Sequence, residues 1–306
     1  MEMSSESARS LARVPPMPAV LTGTVAVTGA AGFVGSHCVL TLLDKGYKVR
    51  ACVREASDES KTGFLRASPA FASGQLTIHS CDMSIVGVFD TVFADCDAVI
   101  HTADGGYPAV TSGKEYRVTN KQILASIEAS PVRRLIYTSS DEAMLDGNLA
   151  LLEANPIVDH RRYTNPADSN SYATSKIETE RMFEAAAAAS GGKFDVMHCN
   201  PGDIIGPILS AHQVTGFQEQ VGELLQGKPL AQHSNGRPWM TVDVRDVAAA
   251  HVALLMANTP TGSPKAGQHR FLLDTNDKVF RDDLGKHLNA ALVRLRAPSP
   301  PCSRVL

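Results

Sequence analysis

From Thr22 onward, short runs of β-branched and other apolar residues alternate with longer segments whose apolar positions recur every three to four residues. The runs are "TVAVTG", "KVRACVR", "QLTIHSC", "DAVIHTA" and "RRLIYTSS"; among the segments between them are "HCVLTLLDKG" and "NKQILASIEAS". Strands that are apolar on both faces need cover on both, and intervening helices supply it. The pattern therefore predicts an α/β fold, a doubly wound parallel sheet. In "TNKQILASIEA", Ile123, Leu124 and Ile127 share one helical face, the spacing that packs on such a sheet. "YATSKIETERMFEAAAAASGG" predicts a long helix extended by its alanines and closed by Gly191 and Gly192, and "FDVMHCN" a further strand.

Beyond Pro201 the order loosens into a helical stretch in "FQEQVGELLQG", a loop "AQHSNGRP", a strand "WMTVDV", a helix "RDVAAAHVALLMA" and the Pro/Gly-rich "TPTGSPKAG". We expect a flexible arm over residues 1–20 and a nucleotide-binding domain over 21–200, with returns around 241–257. A small C-terminal substrate-binding lobe is expected from 201–240 and 258–306.

With 306 residues and 43% hydrophobic content the chain can bury a substantial core. A net charge of -3 offers no field for nucleic acid or for a membrane surface. The cysteines Cys38, Cys52, Cys81, Cys96, Cys199 and Cys302 are scattered, with no CxxC pair and no histidine at metal-ligand spacing, so no metal site is expected. They read as reduced, structural thiols of a cytoplasmic protein. The first twenty residues lack the apolar middle of a signal peptide.

"VAVTGAAGFVGSH" follows a strand and opens a helix, with Gly29, Gly32 and Gly35 in dinucleotide-binding spacing. Glycines permit a tight turn and close approach of backbone to a pyrophosphate, whose charge the helix N-terminus meets. Gly29, Gly32, Phe33, Val34 and Gly35 are thus expected at the cofactor. In "ACVRE", Arg54 stands where an NAD enzyme would carry a carboxylate for the ribose; its guanidinium favours the 2′-phosphate of NADP, while adjacent Glu55 leaves NAD open. Asp82 and Met83 suit the adenine, and Thr102 and Ala103 the phosphates.

"SYATSK" places Tyr172 and Lys176 four apart at a helix start, on one face. A tyrosine of pKa ~10 becomes a useful acid only when nearby positive charge lowers it. Lys176 supplies that charge and can also hold the nicotinamide ribose. Ser140, at the end of the preceding strand, can hydrogen-bond the same substrate oxygen. His101 and His198 read as core histidines, and Trp239 as packing or as lining for the lobe.

Together "TGAAGFVGSH", "YTSS", "YATSK", "NPGDIIGP" and "VDVRDVAAAHVALL" resemble the extended short-chain dehydrogenase/reductase family, over residues 21–295. The resemblance implies a Rossmann fold, Ser140, Tyr172 and Lys176 as catalytic residues, Asn120 as a supporting helix residue, and Pro201 along the nicotinamide. It also suggests a homodimer. "VRACVRE", the "FL" of "KTGFLRA" and "VDVRDVAAAH" are most similar to the dihydroflavonol reductase and cinnamoyl-CoA reductase branch, although the Asn-Trp-Tyr signature of cinnamoyl-CoA reductases is missing before Tyr172. The implied activity is NADPH-dependent reduction of a small-molecule aldehyde or ketone, of an aromatic or phenylpropanoid-like kind.

Two alternatives stay open. Nucleotide-sugar 4,6-dehydratases carry an Asp-Glu pair like Asp141 and Glu142 directly after the residue equivalent to Ser140, and a nucleotide-sugar epimerase shares the remaining machinery. "DEAMLDG" lacks the Val-Tyr-Gly that usually follows the pair, which favours a loop or substrate-contact role. A non-catalytic NADP-sensing regulator is the other, disfavoured because Tyr172 and Lys176 are both present.

Overall fold

The structure is a computed structural model that describes residues 19–103, 113–145, 163–164, 171–226, 228, 239–258, 269–275 and 278–279. The expected arm through residue 18, the loop 231–238, the segment 259–268, Cys302 and the Trp239 side chain lie outside the described residues.

The elements are β1 (Thr24–Thr28), α1 (Phe33–Asp44), β2 (Lys48–Val53), α2 (Glu59–Arg66), β3 (Leu76–Ser80), β4 (Ala98–His101), α3 (Gly113–Ala129), β5 (Arg134–Thr138), α4 (Ser171–Ala189), β6 (Asp195–Pro201), β7 (Asp203–Ile205), α5 (Phe217–Leu225), β8 (Trp239–Asp243), α6 (Val244–Met256), β9 (Arg270–Leu273) and β10 (Lys278–Val279). Seven strands form one sheet in the order β3-β2-β1-β4-β5-β6-β9, all pairs parallel. Strand order reverses between β1 and β4, so a crevice opens at their carboxyl ends.

Alternation along β1 shows why the strands read as continuous apolar runs. Val25 and Val27 face a core layer with Val39 and Leu42 of α1 and Val252 and Leu255 of α6. Ala26 faces the other, with Ile123 and Ile127 of α3 and Phe183 of α4. Each face must be apolar because each is covered by helices; full burial of one such Val, Leu, Ile or Phe side chain contributes about 1.5–3 kcal/mol. Gly191 and Gly192 follow α4 with φ of 67° and 89°, the left-handed backbone that ends a helix. The described cysteines are buried free thiols, and burial pushes Cys38 up to about 12 and Cys96 up to about 11, far from nucleophilic.

The far end of the chain contributes to two sheets. β8 pairs with β7 and β10 in a separate three-stranded sheet, whereas α6 packs against the main one. β9, expected within the lobe, joins β6 as the seventh strand of the main sheet. Buried Arg134 on β5 ties this region together: it clamps Asp195 through two hydrogen bonds, at 2.9 and 2.8 Å, and donates to Leu254 O and Leu255 O at the end of α6. Among the described residues no helix is long and apolar enough to cross a membrane.

Candidate active site

The turn after β1 is shaped by close contacts. Gly29 has φ +66°, and a Cβ there would lie 2.9 Å from Ala103 N and Cα; at Gly35 it would lie 2.2 Å from Gly29 O. Any side chain would push the turn off the sheet or α1 off the turn. Helix α1 begins behind Gly32 with no side-chain cap and no acidic residue in its first turn. Its first N–H groups and its positive dipole end therefore remain available to an anion. Thr102 Oγ1 donates to Thr28 O at 2.8 Å, and Ala103 N donates to Thr28 Oγ1 at 3.3 Å, so the ends of β1 and β4 are stitched together beside this turn.

Around the turn runs a cleft of about 840 Å³. Gly29, Gly32, Phe33, Val34, Gly35, Arg54, Asp82, Met83, Thr102 and Ala103 all line it, so every cofactor residue expected between positions 29 and 103 falls on one surface. The room, the glycine cradle and the uncapped helix fit a dinucleotide. At its outer end Arg54 is exposed and shares the surface with Lys61. Glu55 is turned into a local bend, accepting from Ser57 N at 3.1 Å and Ser57 Oγ at 2.8 Å; these bonds hold its carboxyl below the usual range. Asp82 is held low in the same way by Ser84.

Lys61 and His212 are additions that sequence reading did not supply. Lys61 lies on α2, a short polar helix with nothing to mark it, and pairs with Asp58 at 3.2 Å. His212 belongs to a 3-10 turn, Ala211–Gln213, in the irregular stretch after Pro207. Its Nε2 donates to Ala31 O at 2.8 Å, and Gln213 Nε2 donates to the same oxygen at 3.0 Å and to Ser36 Oγ at 3.0 Å. This turn therefore clasps the glycine loop from outside.

Ser140, Tyr172, Lys176 and Pro201 line a second cavity, of about 190 Å³, which Val34 and Thr102 share with the first. The Lys176 side chain is buried, its Nζ donating to Thr138 O at 3.0 Å and lying 5.5 Å from the centre of the Tyr172 ring. Ser140 caps the 3-10 turn Asp141–Ala143, accepting from Glu142 N at 3.2 Å, and donates to Asp141 Oδ1 at 3.1 Å. Asp141 is buried; Glu142 is half-buried. A phenol, an ammonium and a hydroxyl thus surround one small space at the end of the dinucleotide cleft. That set can bind a carbonyl oxygen and deliver a proton to it.

Asn120 lies behind this space on a buried chain. His101 Nε2 donates to Asn120 Oδ1 at 2.8 Å, and on its other side Nδ1 lies 2.6 Å from Thr28 Oγ1. Asn120 Nδ2 donates to Thr179 Oγ1 at 3.2 Å, which donates to Ser175 O at 2.9 Å. One directional path links the end of β1 to α4 one turn past Lys176. His101 and His198 are fully buried, as core histidines are.

Residues 25–266 match the model of the NAD dependent epimerase/dehydratase family. Cinnamoyl-CoA reductase 1 of Petunia hybrida is 32% identical over 258 residues, covering 81% of this chain and 72% of that protein. Dihydroflavonol 4-reductase of Zea mays is 33% identical over 204 residues, 62% of this chain and 55% of that one. The crystal structure of vestitone reductase from alfalfa (Medicago sativa L.) superposes with a TM-score of 0.69 at 26% identity, over 89% of this chain and 82% of that one. The chain belongs to the NAD dependent epimerase/dehydratase family and is an oxidoreductase of the extended short-chain dehydrogenase/reductase type.

Proposed function

We propose that this protein is an NADPH-dependent reductase of small-molecule aldehydes or ketones, of an aromatic, phenylpropanoid-like kind. The observation that carries the reading is the convergence of Ser140, Tyr172 and Lys176 on one cavity that shares Val34 and Thr102 with the wall of the dinucleotide cleft. Bound NADPH supplies the hydride. Arg54 and Lys61 hold the 2′-phosphate, and the glycine turn and the start of α1 hold the pyrophosphate. Ser140 Oγ turns from Asp141 to donate to the substrate carbonyl oxygen. Tyr172 passes its phenolic proton to that oxygen as negative charge develops, and the Lys176 ammonium stabilises the phenolate left behind. The buried free thiols among the described residues fit a cytoplasmic enzyme of this class.

A second reading keeps Asp141 and Glu142 as the acid and base of a nucleotide-sugar dehydratase. The buried Asp141 carboxylate, which accepts from Ser140 Oγ, favours instead a role in holding the turn. The test is a panel of aromatic aldehydes, ketones, dihydroflavonols and nucleotide sugars, followed by NADPH oxidation and by product mass. Reduction of a carbonyl compound with stoichiometric NADPH use is expected; loss of water from a nucleotide sugar without net cofactor use would select the second reading. NADPH binding with no turnover on any class would select a non-catalytic sensor.

A further inference from the structure

Beneath the Ser140–Ala143 turn lies a charged network that proton and hydride transfer leave unused. Glu180, one helical turn beyond Lys176 on α4, is fully buried, and so is the Arg270 side chain from β9; Arg270 Nε lies 2.7 Å from Glu180 Oε2. Two grips run from this pair to the backbone of the turn. Asn200 Nδ2 donates to Glu180 Oε1 at 2.7 Å and to Ser140 O at 2.9 Å. Arg270 Nη2 donates to Ala143 O at 2.9 Å. The carbonyls between are held too: Asp141 O accepts from Met144 N and Leu145 N, and Glu142 O from Thr164 Oγ1.

Stability alone is a poor reason for the pair. Each buried ion costs several kcal/mol of lost hydration, and apolar residues of matching volume often serve as well or better. What apolar residues cannot do is hold named carbonyls at fixed points. We propose that Glu180 and Arg270, with Asn200, are positioning residues for Ser140: they fix the turn so that the hydroxyl stands where the substrate oxygen must be held. This rests on the reading of Ser140 as the oxygen anchor, and the test separates the two.

The experiment is a double-mutant cycle on kcat/KM. Glu180→Met/Arg270→Met removes both charges together and leaves neither one buried alone. Ser140→Ala is made in the wild-type and in this background, with folding followed by urea denaturation and NADPH affinity by fluorescence. In the wild type, Ser140→Ala lowers kcat/KM about 100-fold, the usual cost of an oxyanion donor. In the network-free background it costs less than about 10-fold, because the hydroxyl is already misplaced; groups that act as a unit are non-additive. NADPH affinity stays within roughly threefold in both, under 1 kcal/mol. Equal Ser140→Ala losses in the two backgrounds overturn the positioning role while leaving Ser140 as the anchor. No loss from Ser140→Ala in the wild type overturns the anchor and the proposal with it. Should the charge-free variant fail to fold, Asn200→Ala, which removes the grip on Ser140 O together with one hydrogen bond to Glu180 Oε1 but keeps both charges of the pair, replaces it in the same cycle with the same expected and overturning results.

Discussion

Lys176 donates to the carbonyl oxygen of Thr138 at 3.0 Å, which fixes its ammonium 5.5 Å from the centre of the Tyr172 ring. The last residue of β5 thus sets where the charge stands relative to the phenol. Lys176→Met removes the charge that stabilises phenolate, so kcat falls about 100-fold. In the alcohol-oxidation direction, where phenolate is the base, the pH at which activity rises moves upward. Steady-state rates across pH for both enzymes check this; an unchanged pH profile contradicts it.

Arg54 and Lys61 share the outer end of the cleft while Glu55 is bonded into its own bend. Replacing both cations by alanine removes two charged partners of a 2′-phosphate, each contributing about 1.5–3 kcal/mol. The NADPH KM then rises at least roughly 100-fold, while that for NADH moves less than about threefold. Parallel titrations with the two cofactors measure the change, and equal weakening of both would show that the cations do not read the phosphate.

His251 on α6 is fully buried; its Nδ1 donates to Val247 O at 2.7 Å, and its Nε2 accepts from Thr138 Oγ1 at 2.8 Å. Burial pushes its pKa down to about 4. In the unfolded chain the same ring takes a proton near pH ~6.5. Because the folded value is the lower one, the unfolded state binds more protons as pH falls. Stability from this group is complete above about pH 6.5 and is lost progressively down to about pH 4, by about 3 kcal/mol. Urea midpoints at pH 7 and pH 4.5 should fall further apart in the wild type than in His251→Gln.

Asp141→Asn keeps an oxygen for Ser140 Oγ, and Glu142→Gln keeps the shape of a half-buried side chain. Both variants are expected to retain carbonyl reduction within roughly threefold. NADPH consumption on the best carbonyl substrate of the panel measures it; a collapse in either variant would give the pair a chemical role.

The parts of this molecule that repeat along the chain were legible in its sequence. β1 to β6 follow from apolar runs, and α3 and α4 from periodicity and the closing Gly191 and Gly192. The glycine turn, Tyr172 and Lys176 follow from spacing, because a phosphate cradle and a helical face each constrain neighbours in sequence. What depends on distant pairing was not legible. "RFLL" is four residues without alternation, and its place beside β6 is fixed only by partners some seventy positions away. Nothing in the sequence around Arg270 sets it apart; its role is defined only by Glu180 standing against it. His212 and Gln213 grip Ala31 O from a stretch with no period at all.

Whether Tyr172 delivers the proton is tested most directly by turnover of Tyr172→Phe, with NADPH binding followed separately. The variant is expected to bind NADPH like the wild type and to lose carbonyl reduction by about 100- to 10,000-fold, the range for a missing general acid. The wild type should yield a product heavier than its substrate by two hydrogens. Full turnover by Tyr172→Phe on that same substrate would contradict that role for Tyr172.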